Sequence, residues 1–135
     1  MKKLIITTIF ALLLSLNLWG KTKPNLIFIS VDTLRQDHLG IYGYHRNTSP
    51  NIDRLLSRGV WFTNAHCNVP LTNPSFCSMM TSRYPHEIGA TRNGIPMVRD
   101  ALTLAEILKE NGYTTVAFLS NWPLKAHLSN LDQGF

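Results

Sequence analysis

An apolar run at residues 26–31 is the feature that most constrains the fold of this chain. Pro24 and Asn25 precede the run, and polar residues follow it. It carries apolar side chains on both faces that a strand would present, so both faces must be covered, as in parallel sheets flanked by helices. The run ends at Asp32, and ligands of open α/β sheets bind beyond the carboxyl ends of the strands. We therefore expect a functional carboxylate at Asp32.

A helix start with good local chemistry follows this run. Ser49 can cap a helix that has Pro50 in its first turn and Asp53 near its positive end, and Gly59 is a natural stop. The apolar stripe of this helix consists of Ile52, Leu55 and Leu56. Residues 60–63 are predicted to form the next strand. Strand, helix and strand in this order indicate a βαβ unit.

The same order recurs near the end of the sequence. Thr103 and Glu106 have the spacing of a capping box, and Gly112 closes the predicted helix. The apolar face of this helix consists of Leu104, Ile107 and Leu108. Residues 113–119 are rich in β-branched and aromatic side chains and are predicted to form a strand. We therefore predict the α/β class, with a mainly parallel sheet flanked by helices.

The first twenty residues predict a secretory signal peptide. Lys2 and Lys3 give a basic start, residues 4–16 are mostly apolar, and polar residues follow Gly20. The alternative is an uncleaved anchor, for which the apolar run is short. After cleavage behind Gly20 we expect residues 21–135 to have no stable membrane span and to be periplasmic or secreted.

Charge and cysteine content narrow the functions further. The formal charge is +5, but the basic residues are scattered, which argues against nucleic-acid binding and suits an anionic substrate. An exported chain can keep disulfides. Cys67 and Cys77 could close a small loop around Thr72, or they could remain two half-buried thiols.

A nucleophile is predicted at a second helix start. Pro74 suits the first turn of a helix that runs to about Ser82, which places Thr72 or Asn73 at the N-cap. Free N–H groups there favour an anion, so a hydroxyl could attack an ester whose developing charge meets them. Asp32 is a candidate ligand for a metal that would lower the pKa of the hydroxyl. In the alternative, Thr72 only caps the helix and Asp32 only forms a turn.

Taken together, these motifs resemble the sulfatase family within the alkaline phosphatase superfamily. The resemblance covers nearly all of the chain after residue 20. The matching stretches are residues 25–40 (NLIFISVDTLRQDHLG), 48–55 (TSPNIDRL), 59–62 (GVWF), 74–75 (PS), 79–85 (MMTSRYP) and Gly89, with weaker matches at 103–105 (TLA) and 111–113 (NGY).

The resemblance implies a partial alkaline-phosphatase-like fold, with residues 21–135 as the amino-terminal part of a sulfatase-like catalytic domain. It implies that Asp32 ligates a divalent cation and that Thr72 is the nucleophile and contacts the same metal. Arg83 and His86 follow the nucleophile helix and could face an anionic ligand, although a surface or structural role is equally open. Calcium is the cation that the resemblance favours, with zinc or manganese as alternatives.

Three residues depart from the sulfatase pattern. Thr33 stands where many sulfatases have a second aspartate, and Phe76 stands where an arginine is expected. Thr72 stands where sulfatases have a cysteine or serine that is oxidised to formylglycine. Superfamily relatives that move phosphoryl groups use an unmodified threonine, through a phosphothreonine. The resemblance thus implies a metal-dependent hydrolase of sulfate or phosphate esters.

The expected substrate is an anionic small-molecule or glycan ester. Because family members are several times longer and carry further metal ligands in later segments, we expect this chain to be an amino-terminal fragment that is inactive alone. The alternative function is a catalytically inactive exported α/β remnant or a binding module.

Overall fold

The computed structural model describes residues 23–135, so the predicted signal peptide at residues 1–20 lies outside the described residues. This part of the chain contains the α-helices α1 (Pro50–Leu56), α2 (Thr72–Thr81), α3 (Leu104–Glu110) and α4 (Ala126–Ser129) and the 3-10 helices Gln36–His38, Gly40–Tyr42 and Trp122–Leu124. None of these described helices has both the length and the apolar character needed to cross a membrane. The chain divides into two compact units between residues 31 and 32, and the helices described for residues 23–135 all belong to the second unit.

Helix α1 begins at Pro50, as predicted, but Ser49 does not cap it with its side chain. The Ser49 hydroxyl instead donates to the Asp53 carboxylate, with oxygen–oxygen distances of 3.1 and 3.0 Å, and accepts from the Gly40 N–H at 2.9 Å. Asp53 Oδ1 also accepts from the Ile41 N–H at 3.0 Å. A Cβ on Gly40 would collide with the Asp53 carboxylate, so the close approach requires glycine. These bonds fasten the preceding loop to the start of α1.

Helix α2 begins earlier than the sequence predicts. Leu71 is its N-cap, so the prediction that Thr72 or Asn73 occupies the cap is wrong, and Thr72 is the first helical residue. Proline disfavours helical geometry in the residue before it, but the hydrogen bonds of the fully buried Asn73 side chain hold that residue in the helix. Pro74 costs no hydrogen bond in the first turn, because the N–H groups there have no intrahelical acceptor. The helix ends at Thr81, close to the predicted end.

The hydrophobic core lies against one side of α2. Cys77 of this helix is fully buried, and Phe76 and Met80 pack against the core from the same helix. The other core residues follow α2 in the sequence and are Ile88, Ala90, Met97, Ala101, Leu124 and Leu131. Long-range packing onto one helix therefore organises the part of the chain that carries the predicted nucleophile.

Helix α3 confirms the predicted capping box. The Thr103 hydroxyl accepts from the Glu106 N–H at 3.2 Å, and the Glu106 carboxylate accepts from the Thr103 N–H at 2.8 Å. The buried residue of this helix is Ala105, while the predicted core residue Ile107 is exposed. The other two residues of the predicted face, Leu104 and Leu108, are half-buried. The helix start is therefore set locally, while the predicted face is only partly buried.

No β-strand is present among residues 23–135. The three segments predicted as strands, residues 26–31, 60–63 and 113–119, lack ladder partners, and their apolar side chains are exposed. The exposed fraction reaches 80% for Ile27, 83% for Val60 and 93% for Phe118. A strand is stabilised by the neighbours with which it pairs, whereas a helix start needs only nearby residues. The helices of the predicted α/β fold are thus present, and its parallel sheet stays a prediction.

Candidate functional site

Asp32 and Thr72 lie 40 residues apart in the sequence and meet in the structure. The Thr72 hydroxyl points at the Asp32 carboxylate, with Oγ1 at 3.5 Å from Oδ1 and 3.4 Å from Oδ2. These distances exceed the usual range for an O–H···O hydrogen bond, so the contact is loose and nearly symmetric between the two oxygens. The two residues predicted to form the reactive centre are therefore neighbours, at the first turn of α2.

Asn121 is a third member of this site, and sequence reasoning missed it. Its side-chain amide donates to Asp32 Oδ2 at 2.5 Å, across 89 residues of sequence. A signal for it was present, since Asn121 follows the apolar run at residues 113–119 much as Asp32 follows the run at 26–31. The ends of parallel strands meet at one edge of a sheet, so polar residues directly after two such runs are expected to converge.

Asn73 fixes the start of α2 from inside the protein. It is fully buried, and its amide donates to the carbonyl oxygens of Ile95 at 2.8 Å and Leu128 at 3.1 Å. Its backbone N–H donates to Asn93 Oδ1 at 2.9 Å, and its own Oδ1 accepts from the Cys77 thiol at 3.3 Å. The backbone N–H, the side-chain amide nitrogen and the side-chain oxygen of Asn73 are thus all hydrogen-bonded. These bonds make the start of α2 a rigid support for the neighbouring Thr72 hydroxyl.

These bonds also limit the backbone donors at the helix start. Asn73 gives its N–H to Asn93, Pro74 has none, and the Ser75 N–H donates to the Leu71 carbonyl at 3.0 Å. Within residues 23–135, Thr72 is therefore the one first-turn residue whose N–H has no hydrogen-bond partner. The sequence predicted several free N–H groups for anion binding at this helix start. The Thr72 N–H, beside the hydroxyl, is the single one of them that is free within residues 23–135.

Thr33 lies in a strained conformation next to Asp32. Its φ of 60° is in the left-handed region, which a β-branched residue rarely adopts. Its hydroxyl donates to the Asp32 carbonyl at 2.7 Å. Local strain of this kind persists where surrounding contacts over-determine the backbone, and it concentrates at functional sites.

Arg83 and His86 lie away from Asp32 and Thr72. Both are exposed and follow the far end of α2, whose ten residues span about 15 Å. Arg83 lines an open groove of about 510 Å³ with residues that include His66 and Ser75, and the His86 ring stacks on Tyr84 with a centroid distance of 5.7 Å. The structure does not bring these two residues to the Asp32 site, and a role in binding an anion stays a prediction.

Cys67 and Cys77 do not form a disulfide. Cys67 is exposed, while Cys77 lies on the buried face of α2, within the core. Burial raises the pKa of the Cys77 thiol to about 11, because the thiolate would lose its hydration. Of the two alternatives, the structure favours free thiols, one exposed and one inert.

The donor atoms at the site are oxygens, which fit a hard cation. Asp32 supplies two carboxylate oxygens and Thr72 a hydroxyl, while Asn121 directs its amide N–H at Asp32 and so supplies no oxygen there. Calcium takes six to eight such oxygens, some of them from water, while zinc prefers histidine and cysteine. No group of three or more His, Cys, Asp or Glu side chains able to hold a metal occurs in residues 23–135. The residues present therefore fit part of a calcium shell.

Comparison with known proteins identifies a family for this chain. The family model described as Sulfatase matches residues 24–133. Arylsulfatase A of Bos taurus is 36% identical over 112 residues, which are 77% of this chain and 22% of that protein. The ulvan-active sulfatase of Formosa agariphila is 36% identical over 106 residues (78% and 20%), and the N-acetylglucosamine-6-O-sulfatase of Bacteroides thetaiotaomicron is 32% identical over 113 (84% and 19%).

The chain spans about a fifth of the length of these relatives. No solved structure matches it. The family match nevertheless runs through almost every described residue and includes Asp32, Thr72 and Asn121. The chain belongs to the sulfatase family.

Proposed function

We propose that this chain contributes the nucleophile and one metal-ligating carboxylate to a metal-dependent hydrolase of sulfate or phosphate esters. The observation that carries the proposal is the meeting of Thr72 Oγ1 with both oxygens of Asp32, at 3.5 and 3.4 Å. A hydroxyl at a fixed helix start beside a carboxylate is the arrangement that an activated nucleophile requires. Membership of the sulfatase family supports ester hydrolysis as the reaction class.

The proposed reaction has two steps on Thr72. Its Oγ forms a bond to the sulfur or phosphorus of the ester, the bond to the ester oxygen breaks, and the alcohol leaves with a proton. Water then attacks the same sulfur or phosphorus, which releases the inorganic anion and restores the hydroxyl. A divalent cation bound by Asp32 would lower the pKa of the hydroxyl and offset the charge of the ester.

The chain's own groups have separate tasks in this scheme. Asn73 holds the first turn of α2, so that the hydroxyl keeps its direction, and the free N–H of Thr72 is a donor for an ester oxygen. Because no part of the scheme needs formylglycine, an unmodified threonine is sufficient. We propose calcium as the cation, since the described donors are oxygens.

The names of the relatives support a substrate class. They include an arylsulfatase, an ulvan-active sulfatase and an N-acetylglucosamine-6-O-sulfatase. We propose an anionic aryl or glycan ester as the substrate and, from the predicted signal peptide, a periplasmic or secreted location. The positive formal charge of +5 suits such a substrate.

The test is hydrolysis of 4-nitrophenyl sulfate and 4-nitrophenyl phosphate, with calcium and with a chelator, by the longer parent protein in which this chain is expected to be the amino-terminal part. We expect Thr72→Ala to lower the rate by about 10³-fold or more and Thr72→Ser to retain turnover, because serine keeps a hydroxyl. Intact-mass measurement of quenched wild-type protein should show one sulfuryl or phosphoryl group, which Thr72→Ala lacks.

Turnover that survives Thr72→Ala would exclude the nucleophile. Absence of both turnover and the mass increase in the wild-type parent protein would favour the alternative, a non-catalytic exported module.

A further inference from the structure

We propose that Asn121 is a positioning residue that orients the Asp32 carboxylate toward the cation and the Thr72 hydroxyl. The inference rests on the proposed function and adds a member to its site. It is carried by the contact of Asn121 Nδ2 with Asp32 Oδ2 at 2.5 Å, the shortest contact that the Asp32 carboxylate makes among the described residues.

The hydrogen bond from Asn121 makes the two carboxylate oxygens of Asp32 inequivalent. Asn121 occupies one lone pair of Oδ2, while Oδ1 has only the loose contact with Thr72 at 3.5 Å. An oxygen that accepts a strong bond is fixed in direction, and its partner oxygen is then presented to one side. The Thr72 hydroxyl lies at 3.5 Å from Oδ1 and 3.4 Å from Oδ2, so Oδ1 and the second lone pair of Oδ2 are left open on the side where a cation and an ester would meet. Outer partners of this kind set the orientation of metal-ligating carboxylates.

Asn121 is itself held by the core. It is the residue directly before the 3-10 helix Trp122–Leu124, and Leu124 is only 3% exposed and packs in the same cluster as Cys77 of α2. The buried Ser129 hydroxyl donates to the Leu124 carbonyl at 3.1 Å. Asn121 and Thr72 therefore both adjoin the core around α2, and the packing of this core fixes the distance between them.

Asp32 has no such support of its own. It is exposed, and the residue that follows it is the strained Thr33. Its side-chain orientation therefore depends on its contacts with Asn121 and Thr72. Removing the Asn121 donor would let the carboxylate rotate, and the cation would have to restrict that rotation on binding. Losing an outer-shell partner typically weakens metal affinity by about 10–100-fold.

The experiment is calorimetric titration of calcium chloride into the longer parent protein, in which this chain is joined to the later metal ligands that the family resemblance implies, and into its variants. Asn121→Leu keeps the volume but removes the donor, and we expect its calcium Kd to rise by about 10–100-fold. Asn121→Gln keeps a carboxamide and should recover part of the affinity, a rescue that a purely structural role would not produce. The matched control is Asn111→Leu, which removes another exposed asparagine whose amide donates to a backbone carbonyl, that of Ile107. Calcium affinity should not change in this control.

The variant Asp32→Ala distinguishes a failure of the Asn121 role from a failure of the proposed metal site. If Asp32→Ala abolishes calcium binding but Asn121→Leu binds like the wild type, the role of Asn121 is overturned and the proposed metal site stands. If Asp32→Ala binds calcium normally, or the wild type does not bind it, the metal site and the role of Asn121 both fall. Urea unfolding shows whether each variant is folded. If Asn121→Leu is not, Asn121→Ser, which is too short to reach Asp32, replaces it with the same expected loss.

Discussion

The core around α2 and the three predicted strands differ in burial, although both are apolar. Around α2, Ile88, Ala90 and Ala101 are completely buried, and the polar Asn73 at its start is bonded on every side. In residues 26–31, 60–63 and 113–119, most of the large apolar side chains are exposed. Apolar composition therefore does not decide burial. A helix supplies its own backbone hydrogen bonds and needs only one packed face, while a strand needs a neighbour at each edge.

The functional residues occur where these two kinds of segment meet along the chain. Thr72 starts the best-packed helix, whereas Asn121 comes two residues after the exposed segment 113–119. Rigid packing thus supplies the directions of the hydroxyl and the amide. The Asp32 carboxylate, which is exposed, takes its direction from them.

The largest expected effect is at the polar centre of the packed region. Asn73→Ala leaves the buried carbonyls of Ile95 and Leu128 without their donor, and each unsatisfied group costs about 1–3 kcal/mol. We expect the free energy of unfolding to fall by about 4 kcal/mol, measured by urea denaturation. Asn51→Ala, at an exposed position in α1, is the control and should change it by less than about 0.5 kcal/mol. A small effect of Asn73→Ala would mean that the packed region does not depend on this residue.

A direct contrast between the two regions comes next. Ile88→Ala removes a completely buried side chain, and we expect a loss of about 3 kcal/mol in the free energy of unfolding. Phe118→Ser removes a larger side chain that is 93% exposed, and we expect a change of less than about 0.5 kcal/mol. Both are measured by urea denaturation of the full chain. A large loss in Phe118→Ser would show that residues 113–119 are packed in solution, and the contrast would be wrong.

A smaller effect, of opposite sign, is expected at Thr33. Glycine adopts a φ of 60° without the steric cost that a β-branched residue carries, so Thr33→Gly should raise the free energy of unfolding by about 1 kcal/mol. Thr33→Ala, which keeps a Cβ but loses the hydroxyl, should not be stabilised. If both variants are destabilised equally, the hydroxyl bond to the Asp32 carbonyl outweighs the strain.

The smallest effect on stability concerns the two thiols, which should differ in reactivity. We expect one thiol per folded chain to react rapidly with a disulfide reagent at pH 8, and Cys67→Ser to abolish that phase, because Cys67 is exposed and Cys77 is buried. Burial raises the pKa of Cys77 to about 11, from 9.0, so the unfolded chain loses this proton first as the pH rises. The contribution of Cys77 to stability should therefore be constant below about pH 9 and fall between about pH 9 and 11. Two fast thiols, or none, would contradict the burial of Cys77.

Helix boundaries were the most predictable part of the fold. The capping box of Thr103 and Glu106 and the proline at the start of α1 are local signals, and both helices begin where the sequence indicates. The start of α2 was missed by one position, because the buried bonds of Asn73 overcome the effect of Pro74 on its neighbour. The buried face of α3 was predicted only in part, since Leu104 and Leu108 are half-buried, but Ala105 rather than Ile107 is fully buried. Burial depends on what arrives from elsewhere in the chain.

Sequence alone determined the starts of α1 and α3 and the family, and it predicted Asp32 and Thr72 as site residues, because each rests on a local motif at a recognisable spacing. Tertiary structure alone decided that Asn121 joins them, that Asn73 anchors the nucleophile helix, and that Cys67 and Cys77 stay apart. The physical reason is the distance along the sequence over which each interaction acts. Caps and turns act within a few residues, whereas the Asn121–Asp32 bond joins residues 89 positions apart and therefore depends on the tertiary fold.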